Sequence, residues 1–392
     1  MIDFRNPYTP GAGVMPRYLA GRSDLVDSAR QRLQAVSEGY QARSVIYYGL
    51  RGVGKTVLLN AVEEEADKLE VLCRHIEVKE DGDLTKTLAS AANAFVVSLS
   101  AFQAAKNWLS RLASVAKSFS ATWNPADNTL SLGLNDAALI AATAGTGDLS
   151  NDLTQLLVEL GKCARQCRKT ICFCIDEVQY ARKEELEAVT TALHRASQLN
   201  LPIIFFCAGL PRILKDVGDV KSYSERLFEF IEVDSLNTRA SAEAIVEPAK
   251  PFGVEYDEDA VALIIQETAG YPYFIQEMCA TIWERSDGHR ITADDVAANI
   301  DETNRRLDKG FFLVRYNRCT TREQEFLQAM ASCGELPCTI ANVAKAMGRK
   351  VTAISPFRAK LINKGLIYAT GRGEIDFTVP RFDAFLKRVQ GI

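Results

Sequence analysis

Histidine is scarce, and the cysteines lack metal-ligand spacing. The three histidines, His75, His194 and His289, stand far apart, and none of the ten cysteines forms a C-x-x-C pair. Zinc binding is therefore not expected. Cys73, Cys172, Cys174 and Cys207 fall inside apolar, strand-like runs, where a thiol acts as a small hydrophobe. Cys163 and Cys167 have helical spacing, and Cys333 and Cys338 are close in sequence. Reduced, structural cysteines are the expectation. No apolar run approaches the ~18 residues of a membrane helix. The opening Met-Ile-Asp-Phe-Arg-Asn-Pro-Tyr lacks a basic-then-apolar signal pattern. A cytoplasmic location is expected. There are no internal repeats and no low-complexity tracts. With 47% hydrophobic and 24% charged residues, the composition excludes a disordered chain.

A length of 392 residues suggests roughly two or three domains. Charge is spread unevenly among them. The chain carries 46 Lys/Arg and 50 Asp/Glu, of which residues 319–392 hold 11 and 6, a net of +5 against −9 for the remainder. A basic C-terminal module on an acidic body points to an anionic partner for that module.

The most informative stretch runs from Val45 to Leu59, an apolar β-type run, a glycine-rich turn and a helix opening at Lys55-Thr56. Gly49-Leu50-Arg51-Gly52-Val53-Gly54-Lys55-Thr56 fits the phosphate-binding pattern G-x-x-x-x-G-K-[ST]. Glycines let such a loop aim several backbone N–H groups at an anion. The following helix, from Val57 onward, offers its positive end to the same phosphates. Lys55 is suited to the β- and γ-phosphates, and the Thr56 hydroxyl to Mg²⁺. The flanking strand and amphipathic helix argue against a chance glycine turn.

A second run, Lys169 to Asp176-Glu177, is an apolar strand ending in two carboxylates. Asp176 can hold the Mg²⁺ shell, and Glu177 can polarise the attacking water. Alone this is a common helix-capping pattern; with the phosphate loop it becomes a Walker B motif. Val71–Val78, Leu201–Pro211 and Phe228–Val233 are further strands, so strands alternating with helices give a parallel α/β sheet with helices on both faces. Leu201–Pro211 ends in Ala208-Gly209, without the polar residue that could sense the γ-phosphate.

Residues 83–120 read as helical, with Trp108, Leu112, Val115 and Phe119 on one face. Trp123–Leu130 is a turn cluster between two short β-prone runs, in a hairpin expected over Phe119–Leu134. The block from about 99 to 148 exceeds what a strand–helix–strand unit needs, and reads as an insertion, either a structural cap or a partner-contacting element. Four helical segments over 236–310 form an expected all-α lid. Beyond 311, helices at Thr321–Ser332 and Ile340–Met347, a third opening at Ser355-Pro356 and closed by Gly365, and a hairpin tipped by Gly371-Arg372-Gly373 read as a winged helix-turn-helix. The expected domains are thus 1–235, 236–310 and 311–392.

Together these residues resemble the AAA+ ATPases, in the branch of origin-recognition-type initiators, archaeal-type ATPases and STAND signalling ATPases. The branch-level likeness lies in Leu19-Ala-Gly21-Arg22, Tyr223-Ser-Glu-Arg226-Leu-Phe228 and Gly270-Tyr271-Pro272. The resemblance implies strand order 5-1-4-3-2, with Mg-ATP between sheet and lid and hydrolysis driving a conformational switch. It implies that Arg22 and Pro272 flank the adenine. Arg226 is similar to the arginine that reaches a neighbouring subunit's γ-phosphate in a homo-oligomer, with Arg212 a rival. The lid lacks the family's second sensor arginine. Two partner readings stay open: double-stranded DNA, contacted by Arg349, Lys350, Arg358, Lys360, Lys364 and Arg372, or a protein partner in signalling or scaffolding.

Overall fold

The structure, a computed structural model, describes residues 2–80, 82–102, 106–124, 145–219 and 224–390. They fall into two compact units: Asp24–Tyr48 with Lys55–Glu232, and Met1–Ser23 with Gly49–Gly54 and Val233–Ile392.

The first unit holds helix α1 (Ser23–Ser37), strand β1 (Ser44–Tyr48), α2 (Lys55–Lys68), β2 (Leu72–Glu77), α3 (Leu84–Ser100), α4 (Lys106–Trp123), α5 (Leu149–Gln166), β3 (Ile171–Asp176), α6 (Lys183–Gln198), β4 (Ile203–Gly209), the short α7 (Ile213–Gly218) and α8 (Ser224–Leu227), and β5 (Phe228–Glu232). The strands form one sheet in the order β2-β3-β4-β1-β5, every pair parallel, as the family resemblance implied. All residues of β3 and β4 are buried. That is why their sequences are unbroken apolar runs rather than alternating ones: helices cover both faces. Phe173 is stacked on Phe205 at 4.6 Å between ring centres and meets Phe95 of α3 edge-on at 5.1 Å. This aromatic chain fixes β3, β4 and α3 together.

The helical reading of 83–120 resolves into α3 and α4. Leu112, Val115 and Phe119 are buried on α4, with Trp108 half-buried beside them, so the expected face points inward. The hairpin expected over Phe119–Leu134 does not begin as expected, because α4 continues through Trp123, and residues 125–134 lie outside the described residues. On either side of that stretch, Asp152 accepts from Trp123 Nε1 at 3.0 Å and from Thr146 Oγ1 at 2.8 Å.

In the second unit, α9 (Thr238–Val246), α10 (Glu258–Thr268), α11 (Pro272–Arg285) and α12 (Ala293–Leu307) are accompanied by a two-residue parallel ladder, β6 (Glu255–Tyr256) with β7 (Arg290–Ile291). Trp283 is the buried centre, with Tyr8 and Phe252 edge-on to it. A π-helical turn, Asp308–Phe312, leads into α13 (Leu313–Asn317), α14 (Thr321–Ala331), β8 (Cys338–Thr339), α15 (Ile340–Ala346), α16 (Val351–Asn363), β9 (Ile367–Gly371), β10 (Glu374–Phe377) and α17 (Phe382–Gln390). The last strands form an antiparallel sheet ordered β8-β10-β9.

One helix start differs from expectation. Ser355 is not an N-cap: α16 opens at Val351 behind Lys350, and Pro356 lies inside it. Pro356 is the sixth residue of α16, past the first turn, so the helix forgoes one backbone hydrogen bond there. The Ser355 hydroxyl donates back to the Val351 carbonyl at 2.9 Å. Gly365 follows the helix at φ +64°, as expected of a C-terminal glycine. Among the described residues, no helix is long and apolar enough to cross a membrane.

Candidate nucleotide site

The phosphate-loop pattern takes the form its glycines permit. Gly52 and Gly54 adopt φ of +87° and +94° between the end of β1 and the start of α2. A Cβ on Gly49 would lie 2.0 Å from the Val233 carbonyl oxygen, so the backbones there approach too closely for any side chain. Lys55 and Thr56 open α2, the end at which a helix's first N–H groups and its dipole favour an anion.

Thr56 and Asp176 meet. The Thr56 hydroxyl donates to Asp176 Oδ2 at 2.6 Å, across 120 residues of sequence. Asp176 is buried at the end of β3, and burial raises its carboxyl above the ordinary range, opposed by the Thr56 hydrogen bond and by Lys55. A buried acid flanked by a hydroxyl is a hard-oxygen donor set that a small divalent cation would satisfy.

Glu177 stands at φ +53°, ψ +35°, a left-handed conformation costing a non-glycine residue about 1–2 kcal/mol. Its N–H donates to Asp176 Oδ1 at 2.8 Å. Its carboxylate accepts from Gln179 Nε2. Gln179, 1% exposed, in turn accepts from the Leu210 N–H at 3.0 Å, next to Gly209 at the end of β4. A Cβ on Gly209 would come within 3.0 Å of the Gln179 side-chain oxygen. Sequence reasoning noticed the missing polar side chain at Ala208-Gly209 and did not see that Gln179 reaches this strand end. The bare glycine ending the neighbouring strand was the available signal. Arg212 donates to the Gln179 carbonyl and forms an ion pair with Asp216 at 3.5 Å, so it belongs to this same strand end.

Residues 49–54 also have fixed partners within their own unit. Arg22 donates to the Val53 carbonyl at 3.2 Å and to the Asp234 carbonyl, bracing the loop backbone. Pro272 opens α11 behind Tyr271. A Cβ on Gly52 would stand 3.0 Å from the Tyr271 ring and 3.4 Å from its hydroxyl oxygen. That hydroxyl is buried and has no hydrogen-bond partner among the described residues, a polar atom next to the loop that a ligand could satisfy. The Arg51 N–H donates to the Thr378 carbonyl at 3.2 Å, and its Nε to the Gly365 carbonyl at 3.1 Å. Arg315 completes the surroundings. Burial, then repulsion from Arg51, lowers its guanidinium to about 10. Two cations held this close to a phosphate loop would be relieved by an anion. Neither Arg315 nor the Arg51 contacts were legible in sequence.

Arg226 is placed elsewhere. It is exposed in α8, immediately before β5, and lines a cavity of about 720 Å³ at the amino ends of the strands. Arg43, Arg165, Arg168 and Lys169 share that lining. Asp176, Glu177 and Gly209 mark the carboxyl ends of the same sheet.

The six basic C-terminal residues divide as well. Arg349, Lys350, Lys360 and Arg372 are exposed. Arg358 is half-buried, and its Nε has no hydrogen-bond partner among the described residues. Lys364 donates to the buried carboxylate of Glu323 at 2.7 Å and to the Arg318 carbonyl at 3.0 Å, so its charge serves the fold.

Residues 18–206 match the AAA ATPase domain family, and residues 309–386 match a domain of unknown function, DUF8462. No curated protein matches the chain. Among solved structures, the chain is similar to the Walker-type ATPase PABY2304 of Pyrococcus abyssi, with TM-score 0.56, 14% identity, and 98% and 99% of the two chains covered. It is also similar to the Orc1 protein of Aeropyrum pernix solved in complex with DNA, with TM-score 0.48, 14% identity and 95% and 94% coverage. A third is the RuvB Holliday junction branch migration motor of Thermotoga maritima, with TM-score 0.45, 16% identity and 96% and 98% coverage.

Proposed function

We propose that this chain, with an AAA ATPase domain over residues 18–206, binds and hydrolyses Mg-ATP as a conformational switch and acts on double-stranded DNA through a winged helix in residues 311–392. One observation carries the ATPase reading: the 2.6 Å hydrogen bond from Thr56 to Asp176, which joins the phosphate-loop hydroxyl to the acid at the end of β3. Backbone N–H groups of residues 49–57 and the Lys55 ammonium would hold the phosphates. Thr56 and Asp176 would hold Mg²⁺, which when bound neutralises phosphate charge. Glu177 would accept a proton from water, with Gln179 setting the direction of its carboxylate. Arg22 would act by bracing Val53, and Tyr271-Pro272 by packing beside Gly52. Arg226, at the amino end of β5, would serve a neighbouring subunit.

Exposed Arg349, Lys350, Lys360 and Arg372 support the DNA reading, with Arg358 at their edge and Lys364 in a structural role. A second reading has its own support. Arg51, inside the phosphate loop, bonds the carbonyls of Thr378 and Gly365 in the C-terminal module. That contact suits a signalling ATPase whose winged helix is governed by nucleotide and binds protein. A salt titration of duplex-DNA binding by the full chain separates the two. The DNA reading expects log affinity to fall steeply with log salt, with a slope reduced by about 2 on replacing Arg349 and Lys350 with Ala. Absence of binding at low salt would leave the protein-partner reading.

A further inference from the structure

Three thiols meet between β2 and β3. In the parallel pairing of β2 with β3, Cys73 stands opposite Cys172, and Cys172 and Cys174 share one face of β3 by strand alternation. The three sulfurs all lie within 4.8 Å of one another, and Cys73 Sγ is 3.6 Å from Cys174 Sγ. All three side chains are buried, Cys73 at 6% exposure and the other two at 0%. The intervening residues of β3, Phe173 and Ile175, point into the apolar core on the opposite face. Packing alone asks for small apolar side chains at these positions; it gives no reason for sulfur at three facing ones.

We propose that Cys73, Cys172 and Cys174 bind a thiophilic d¹⁰ ion, Zn²⁺ or Cu⁺, that staples the edge strand β2 to β3. A zinc–sulfur bond of about 2.3 Å in tetrahedral geometry puts two sulfurs about 3.8 Å apart. The observed 3.6 Å needs almost no adjustment. Each thiol gives up a proton as its metal–sulfur bond forms, so loading releases protons. Three thiolates complete a trigonal Cu⁺ site and leave one position open on Zn²⁺. His75, two residues along β2 from Cys73, lies on the same strand face. Its Nδ1 is 3.3 Å from Glu63 Oε2, and neither ring nitrogen belongs to the cluster of mutually close ligand atoms, so the three thiolates carry the site alone. Asp176, two residues beyond Cys174 at the end of β3, and Thr56 of α2 carry hard oxygen donors and would not compete for a soft ion.

The experiment is elemental analysis of the purified full chain, together with refolding from denaturant and reductant in the presence of Co²⁺. The expected result is about one Zn or Cu per chain, and a sulfur-to-cobalt charge-transfer band in the near ultraviolet on refolding. Chelator should lower the melting temperature by several degrees. Cys174→Ser should lose the ion and the band, whereas Cys207→Ser, altering a buried thiol of β4 outside the trio, should keep both. Because the wild type is measured directly, a variant that fails to fold does not decide the matter. A wild-type chain with no bound metal and no cobalt band would overturn the proposal. So would a disulfide between any two of the three.

Discussion

At the carboxyl ends of β3 and β4 the polar groups form one connected chain, from Thr56 through Asp176 and Glu177 to Gln179 and the Leu210 N–H. At the amino ends of the same sheet the polar groups are cations scattered around an open cavity: Arg43 on Glu229 at 3.1 Å, Lys169 on Glu70 at 2.7 Å, Arg165 on the carbonyls of Leu199 and Asn200, and Arg226 exposed. A parallel sheet makes this asymmetry natural, since every strand delivers its last residue to the same edge, where ligands bind in open α/β folds. The lesson is that acid, hydroxyl and amide act together at one end, while Arg226 lies a strand length away, about 17–20 Å. It cannot complete its own chain's site.

The sharpest way to break the comparison is Glu177→Gln. Hydrolysis should fall by about 10²–10⁴-fold with ATP affinity kept, read by phosphate release beside a binding titration. Turnover within twofold of wild type would remove Glu177 from the reaction. Arg226→Ala comes next. If the amino end serves a neighbour, the variant should lose hydrolysis by about 10²-fold or more and bind ATP normally. Wild-type turnover per chain should rise with protein concentration, and mixing Arg226→Ala with Lys55→Ala chains should restore part of it. A purely structural Arg226 gives a lowered melting temperature and no rescue. The smallest effect is expected at Gln179. Gln179→Leu frees Glu177 to rotate and should slow hydrolysis by about tenfold, at the low end of what a misdirected base costs. An unchanged rate would mean that Glu177 is aimed by its own backbone alone.

Where local structure depends on residues close in sequence, it could be read from the chain. Gly49–Thr56 and Ile171–Glu177 each carry their own local requirement, a glycine turn into a helix and an apolar strand ending in acids. Strand order came from the family resemblance, and the uninterrupted apolar runs of β3 and β4 foretold that helices cover both faces. What remained hidden depends on distant chain segments. Gln179 matters because β4 ends in a glycine that leaves room for it. Arg51 is held by Thr378 and Gly365, more than 300 residues away — a pairing with no local signature. Pro356 misled because a proline after serine is a common helix opening, yet one more turn forms ahead of it. For the cysteines, Cys172-x-Cys174 shows a shared face, but only strand pairing brings Cys73 opposite.

The measurement that bears most directly on the carboxyl-end site is calorimetric titration of Mg-ATP into wild type and Lys55→Ala, with a thermal melt of each. Lys55 opens α2 behind the phosphate loop, and its ammonium should account for most of the attraction to the β- and γ-phosphates. The expected result is saturable binding by wild type, none by the variant, and a melting temperature for the nucleotide-free variant within a few degrees of wild type. Equal ATP affinity in the two proteins would contradict the assignment of this strand end as the nucleotide site.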